Sequence, residues 1–560
     1  MARLVDELRL PEPVCRLLAA RGHHVPDGAK LFLRPRLEQL HAPEGLLDLD
    51  RAVGRVVRAV RAGETILVHG DYDVDGICAT TLLTRALQAL GGRVVPFIPH
   101  RLTDGYDLTA AGVEAARCNG ATLVVTADCG TSAHAPIDAL NALGIDVVVT
   151  DHHLPGGPLP AAFAVLNPKR PGDCYPDKDL AAVGIAFKFA LAFTRALGGN
   201  ENLVHGMLDL VALATIADIV PLRGENRVLA RYGLKLLGET RNLGLRALIR
   251  ASGLEGKPLT AGRVGFILAP RLNAVGRLGH ALRGVELLLA RTEHEANGIA
   301  RELEELNRRR QDVDRGTQER ARALVAGLDL DETYGIVLAE DGWHAGVIGI
   351  VASRIVEEFG RPTVLIALEG DEGKGSGRSI SRFDLHAGLS LCRDLLVRFG
   401  GHTAAAGVTI ARDRVREFAE RFNEIARQRL TADDLVPELR VDLEVALEDC
   451  TFDLETMLRH LEPCGAGNPA PVLAVRGARL AAPPQVVGQG GLKLRLVSDG
   501  GGSITALGWG MGARAPELHA GDALDVAFRL ERDDWNGEER LQARLADVRP
   551  HEAELDAPVA

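Results

Sequence analysis

Val68-His69-Gly70-Asp71-Tyr72-Asp73-Val74-Asp75-Gly76 sets three carboxylates at alternate positions directly behind an apolar run. Glu64-Thr65-Ile66-Leu67-Val68 reads as a short buried strand, and Ile77 to Leu90, rich in Ala, Leu and Thr and free of Pro, reads as a helix. The acidic cluster therefore occupies a strand-to-helix turn, the rim of an open α/β sheet where ligands bind, and Gly76 lets the backbone turn tightly there. The stretch reads as half of a metal site. Asp-x-Asp-x-Asp-Gly also opens a calcium-binding EF-hand loop, but that loop needs an entering helix and a bidentate Glu at its twelfth position. Here the twelfth residue is Leu82, and a strand enters.

Working outward, strand-like stretches recur at Val94–Ile98, Thr122–Thr126, Asp146–Thr150 and Phe163–Leu166, with helical segments between them, the pattern of a parallel sheet covered on both faces. The polar residues fall at the strand ends. Leu123-Val124-Val125-Thr126-Ala127 runs into Asp128, and Val147-Val148-Val149-Thr150 runs into Asp151-His152-His153. In a parallel sheet all carboxyl ends share one edge, so these groups can converge although they are distant in sequence. Taken singly, Asp128 reads as a turn former or helix cap before it reads as a ligand. Asp218, alone in the apolar stretch Leu213 to Pro221, is either paired with something or turned outward where Pro221 ends a helix.

At 560 residues, the chain has length for three or four domains of roughly 100–200 residues each. No apolar run approaches the roughly 20 residues that span a bilayer, and Met1 to Arg9 carries charges where a signal peptide needs apolar residues, so the expected location is the cytosol. The eight cysteines are scattered without a Cys-x-x-Cys pair, which suggests neither disulfides nor a zinc site. A net charge of −11 argues against a simple nucleic-acid binder. It hides a basic stretch: Arg223 to Arg283 holds twelve Lys/Arg against three Glu, which can face phosphate or form a solvated surface.

Residues 1 to about 60 read as helical segments broken by five prolines, a cap without chemistry of its own. Residues 293 to about 328 form a charged connecting helix, followed by a second α/β pattern from Tyr334. Gly375-Ser376-Gly377-Arg378-Ser379 and Gly400-Gly401-His402 read as small-residue loops, where backbone N–H groups and a guanidinium can bind phosphate. From Val441 onward short strands, among them a hairpin signalled by Asn536-Gly537, suggest a small barrel of a kind that holds single strands. Trp509, Phe528 and Trp535 are its obvious large aromatics, too few to establish stacking. A loose acidic tail is expected after His551.

As a set these residues resemble the DHH phosphoesterase superfamily and, within it, the RecJ family of single-strand DNA exonucleases. Asp71-Tyr72-Asp73-Val74-Asp75-Gly76, Thr126-Ala127-Asp128, Asp151-His152-His153-Leu154-Pro155 and Ala217-Asp218-Ile219-Val220-Pro221 are similar to its four ordered motifs. Gly400-Gly401-His402 is similar to the signature of the companion DHHA1 domain, and Pro463-Cys464-Gly465-Ala466-Gly467-Asn468-Pro469 leads into the barrel. The family often has Phe where Cys464 stands. The resemblance runs from about residue 30 to 548.

The resemblance implies an α/β fold: a parallel-sheet DHH domain joined by a long helix to a second α/β (DHHA1) domain, then a small OB-like β-barrel. It divides the chain into a cap segment (1–60), the DHH domain (61–240), a basic helical region with the connecting helix (241–330), the DHHA1 domain (331–435), the OB-like domain (436–550) and a tail (551–560). Asp73, Asp75, Asp128, His152 and Asp218 are implied metal ligands, with Asp71, His69 and His153 as further ligands or their partners. Two Mn²⁺ or Mg²⁺ ions about 3.5–4 Å apart suit such a carboxylate–imidazole set. Arg101, Arg271 or Arg277, Ser376, Arg378 and His402 are implied phosphate contacts. The implied activity is 5′-to-3′ hydrolysis of single-stranded DNA to 5′-mononucleotides in repair and recombination. The implied setting is a cytoplasmic monomer with no membrane attachment, working with a single-strand-binding protein and a helicase. The rival readings are a phosphodiesterase of short oligonucleotides or cyclic dinucleotides, and a non-catalytic replication scaffold.

Overall fold

Ile66 to Val68, Leu123 to Val125 and Val147 to Val149 are apolar on both faces, as strands covered on both sides must be, and they form the centre of a five-stranded sheet. Its strands are β1 (Thr65–Gly70), β2 (Arg93–Phe97), β3 (Ala121–Ala127), β4 (Asp146–Thr150) and β5 (Ala164–Leu166), in the order β2-β1-β3-β4-β5 and all parallel. The computed structural model describes residues 2–101, 103–533 and 539–552. The Asn536-Gly537 turn, Trp535 and the tail from residue 553 lie outside the described residues.

The connecting helix Glu293–Val325 has one end in each of two cores. Ala296, Ile299, Ala300 and Leu303 pack with the parallel-sheet body, whereas Ala321 and Val325 pack with the second. That second body holds β6 (Ile336–Asp341), β7 (Thr363–Glu369), β8 (Glu372–Arg378), β9 (Arg398–Gly401) and β10 (Ala405–Ala411) in the order β6-β7-β8-β10-β9. Here the structure corrects the reading of the small-residue stretches as loops. Gly373, Gly375, Ser376, Gly377 and Arg378 lie on an antiparallel strand between β7 and β10. Its glycines admit close neighbours: a Cβ at Gly375 would stand 2.4 Å from Val408 Cγ2.

The third body is a seven-stranded sheet from β11 (Leu443–Glu444) through β12 (Leu473–Leu480), β13 (Gln485–Val487), β14 (Gly491–Val497), β15 (Ser503–Gly508) and β16 (Ala523–Asp533) to β17 (Arg540–Pro550), with β12 pairing both β16 and β14. The first three helices of the chain complete its core, since Leu4, Val14, Leu17, Leu18 and Leu33 pack with Leu473, Leu494 and Phe528. The next helix, Leu49–Ala62, instead buries Leu49, Ala52, Val56 and Ala59 against the parallel sheet. The N-terminal segment thus ties the last body to the first. Among the described residues no helix is long and apolar enough to cross a membrane.

The basic stretch is used for this docking rather than as one phosphate surface. Arg227 donates to the carbonyls of Leu461 at 3.0 Å, Glu462 at 2.9 Å and Pro463 at 3.2 Å, and Arg231 to Glu462 O at 3.0 Å. Arg223 donates to Gly467 O at 2.6 Å, and Arg283 pairs with Glu302. A buried guanidinium with several donors satisfies carbonyls that a turn leaves without partners.

Candidate metal centre and substrate cleft

The sheet register sets the spacing of the acidic loops. Beyond the last strand residues the ladder continues one step: Asp71 N donates to Ala127 O at 3.1 Å, Asp128 N to Thr150 O at 3.0 Å, and Asp151 N to Leu166 O at 3.1 Å. Three motif residues are thereby held on neighbouring strands, which lie roughly 4.8 Å apart. Asp128 adopts φ +71°, a left-handed conformation, as does Ile219, at φ +60°, next to Asp218. Such strain persists where the surroundings over-determine it, commonly at functional sites.

Two carboxylates do local structural work as well. Asp73 caps the helix Val74–Ala89 by accepting from Asp75 N at 2.9 Å and Gly76 N at 3.1 Å. Asp75 reaches the start of the helix Ala182–Ala196, accepting from Ala182 N at 2.7 Å and Val183 N at 2.9 Å. A Cβ at Gly76 would stand 2.4 Å from Asp71 O, so only glycine allows the loop to close this tightly.

Among the described residues three groups of side chains each bring their ligand atoms within 4.8 Å of one another: Asp71, Asp73 and Asp128; Asp75, His152 and Asp218; Asp128, His152 and His153. His152 Nε2 lies 3.3 Å from Asp128 Oδ1 and 3.6 Å from Asp218 Oδ2. Yet Asp71 Oδ1, Asp128 Oδ1 and His152 Nε2 are buried without a hydrogen-bond partner. Buried acceptors facing acceptors are costly unless a cation lies among them. The protonation equilibria point the same way. Burial, then repulsion from Asp73, raises Asp71 and pushes Asp75 up to about 7. Burial, with Asp75 and Asp73, pushes Asp218 up to about 9, and burial with the neighbouring His153 drives His152 down to about 3. Carboxylates that hold protons this firmly and an imidazole kept neutral form a donor set suited to divalent Mn²⁺ or Mg²⁺.

Asp151 and His153 form a separate pair beside this cluster. Asp151 accepts from the backbone N–H of Thr131 at 3.0 Å and of His152 at 2.7 Å, and its Oδ1 lies 2.7 Å from His153 Nδ1. Burial opposes charge on both. For Asp151 the hydrogen bond and charge of His153 together with the hydrogen bonds from Thr131 outweigh burial and hold it down at about 2, while Asp151, Asp218 and Asp71 push His153 up to about 9. His153 Nε2 faces the Tyr106 hydroxyl at 3.3 Å.

His69 is not brought to the cluster. Its ring is fully buried against helix residue Gly112, where a Cβ would stand 2.7 Å from Nε2, and Nδ1 lies 3.6 Å from Cys129 Sγ. Alternation along β1 turns it away from the rim, and burial pushes its pKa down to about 4.

Beside the acidic cluster opens a cleft of about 830 Å³ between the parallel-sheet body and the second body, lined by Tyr72, Arg101, Tyr106, Lys374, Arg398 and Phe399 among others. Arg101 lies over the Tyr72 ring at 4.5 Å. Arg378 donates to Ser376 Oγ at 3.1 Å, and Arg277 to Gly346 O at 2.7 Å. Burial and the charges of Arg101, Arg310 and Arg378 push Arg277 down to about 10; burial and Arg101 also lower Arg378. Among the described residues no carboxylate forms an ion pair with Arg101, Arg277 or Arg378. Clustered guanidiniums left without a counter-ion suit a phosphate. Arg271 stands outside this cluster, because Glu304 pairs with it at 2.5 Å. His402 is exposed at the β9–β10 turn, with its N–H donated to Ala405 O at 2.8 Å. Sequence reasoning missed Arg310, since the connecting helix carries many arginines and only packing shows which one turns inward.

Comparison with known proteins matches the same three bodies. The DHH family N-terminal domain matches residues 65–215, the DHHA1 domain 332–428 and the RecJ OB domain 441–547. The single-stranded-DNA-specific exonuclease RecJ of Bacillus subtilis is 36% identical over 555 residues, covering 99% of this chain and 70% of that protein. The enzyme of the same name from Escherichia coli is 35% identical over 583 residues, covering 98% of each. Among solved structures, RecJ of Thermus thermophilus in complex with Mn²⁺ superposes with a TM-score of 0.84 at 33% identity, over 98% of this chain and 78% of that one. Its complex with Mg²⁺ gives 0.79 at 32% identity, over 98% and 76%.

Proposed function

Because the chain belongs to the RecJ family of single-stranded-DNA-specific exonucleases, we propose that its cleft degrades single strands from the 5′ end and releases 5′-mononucleotides. It is a single-stranded-DNA-specific exonuclease that uses Mn²⁺ or Mg²⁺. The observation that carries the polarity is the adjacency of two unlike sites: a carboxylate–imidazole cluster short of cations, and an arginine cluster short of anions.

In this reading Asp71, Asp73, Asp75, Asp128, His152 and Asp218 would hold the metal ions, whose chemistry there would be to lower the pKa of water and to offset charge on the scissile phosphate. Asp151 fixes the His153 ring through Nδ1 and keeps it charged, so that Nε2–H, which faces the Tyr106 hydroxyl, can turn to donate to a phosphate oxygen or to the departing 3′-oxygen. Arg101, Arg277 and Arg378, with Ser376, grip the terminal 5′-phosphate and so measure one nucleotide to the scissile bond. No side-chain nucleophile is required. The same reading extends to a cytoplasmic monomer acting in repair and recombination beside a single-strand-binding protein and a helicase; its support is the family membership.

Digestion of a long strand labelled at either end tests the polarity. In Mn²⁺ the 5′-labelled 5′-phosphorylated strand should yield labelled mononucleotide from the first turnovers, while the 3′ label stays on shortening strands. Release of the 3′ label first, or products appearing only from di- and trinucleotides, would sink the reading.

A further inference from the structure

Phe266 is 87% exposed, in a chain whose other phenylalanines are mostly core residues. Its display has a local cause. Pro270 has no N–H to return to the carbonyl of residue 266, and its ring crowds that carbonyl, so the α-helical ladder cannot run through. The chain widens instead: residues Val264–Leu268 form a π-turn in which Ala269 N donates to Val264 O, five residues back. Such turns recur at functional sites, because they hold one side chain where a regular helix would not.

Placement gives the ring a task. The π-turn lies against the helix Leu208–Ala217, whose C-cap is Asp218: a Cβ at Gly265 would stand 3.7 Å from Ile216 Cγ2, two residues from that carboxylate. The following helix, Ala269–Leu278, touches the first acidic loop at its far end, where Gly276 meets Tyr72 and Arg277 joins the arginine cluster. Residues 266 to 278 therefore run past the metal cluster, with Arg277 at one end and Phe266 at the other, ~16 Å apart at 1.5 Å per residue. Ile219, also exposed, adds a second apolar side chain beside Asp218.

The geometry points to Phe266 as a base-stacking platform for the single-stranded DNA substrate, on the 3′ side of the scissile phosphate. A strand whose terminal phosphate lies among the arginines and whose next phosphate lies at the metal cluster carries its following nucleotides toward this ring. An exposed aromatic face takes any base without reading sequence. This rests on the polarity proposed above.

The test combines Phe266→Ala, Phe266→Leu and Phe266→Trp with 5′-phosphorylated strands carrying one abasic site walked inward from the 5′ end. For the intact strand Phe266→Ala should raise KM by about 5- to 150-fold, the loss of one stacked base, with kcat moving less than twofold. Leu should not restore binding, because it has no π-face, whereas Trp should. At one fixed distance from the 5′ end an abasic site should raise KM for wild type and leave Phe266→Ala unaffected. Thermal melts should be unchanged, since the exposed ring contributes little to the core. An unchanged KM, or abasic penalties that add to the mutation at every position, would overturn the inference. If the polarity were reversed the coupling would track the 3′ end, so the two readings fail separately.

Discussion

Gly276 lies against the carbonyl of Tyr72: a Cβ at 276 would stand 2.3 Å from that oxygen. The helix carrying Arg277 and the loop carrying Asp71 and Asp73 therefore meet backbone to backbone, which sets the distance between the arginine cluster and the acidic cluster. In an open helix Gly→Ala usually stabilises by about 1 kcal/mol. Here the sign should reverse. Gly276→Ala is expected to lower the melting temperature and to reduce kcat on long strands at least tenfold; a more stable, fully active variant would show that the contact is slack.

Asp128 belongs to two of the three ligand groups and has no hydrogen bond on Oδ1. Asp128→Asn keeps its shape and removes the charge that a cation needs. Activity should fall by about 10³-fold or more, while affinity for a 5′-phosphorylated single strand, read by fluorescence anisotropy, stays within a few-fold. Cutting at the wild-type rate would refute the assignment.

Metal removal should change how stability depends on pH. The metal-free Asp75 and Asp218 carboxyls sit at about 7 and about 9, above the unfolded value of about 4 for Asp. The folded state then binds more protons than the unfolded one between those limits, so metal-free stability should fall as pH rises from about 4 to about 9. Saturating Mn²⁺ should flatten that slope and release protons on binding. Melting curves from pH 6 to 9, with and without chelator, test this, and parallel slopes would count against it.

Arg378 and Arg271 should separate cleanly. Arg378→Ala removes a half-buried guanidinium that has no carboxylate partner, so the preference for a 5′-phosphate over a 5′-hydroxyl end should shrink by about 10- to 100-fold. Arg271→Gln, which removes the close partner of Glu304 and leaves it only Arg308 at 3.8 Å, should cost stability and keep the preference. An effect of Arg271→Gln on end preference equal to that of Arg378→Ala would reject the division.

The sheet and the shared rim of its acidic strand ends were legible in the sequence for one reason. Strands buried on both faces must be apolar runs, and parallel pairing puts all their carboxyl ends on one rim, so Asp71, Asp128 and His152 were recognisable as neighbours without coordinates. Pattern also showed the connecting helix and the strand-rich end. What pattern could not show is where each side chain finds its partner. His69 follows the same apolar run as Asp71, but strand alternation buries it against Gly112. Arg271 and Arg277 lie six residues apart with the same charge, yet Glu304 from the connecting helix takes the first and leaves the second beside Arg101 and Arg378. The glycines of β8, read as a loop, make a strand because Ile366, Val408 and Leu385 occupy the space their side chains would fill. Which residue types can do the chemistry is a local property of the chain; which of them meet is decided by packing between segments tens to hundreds of residues apart.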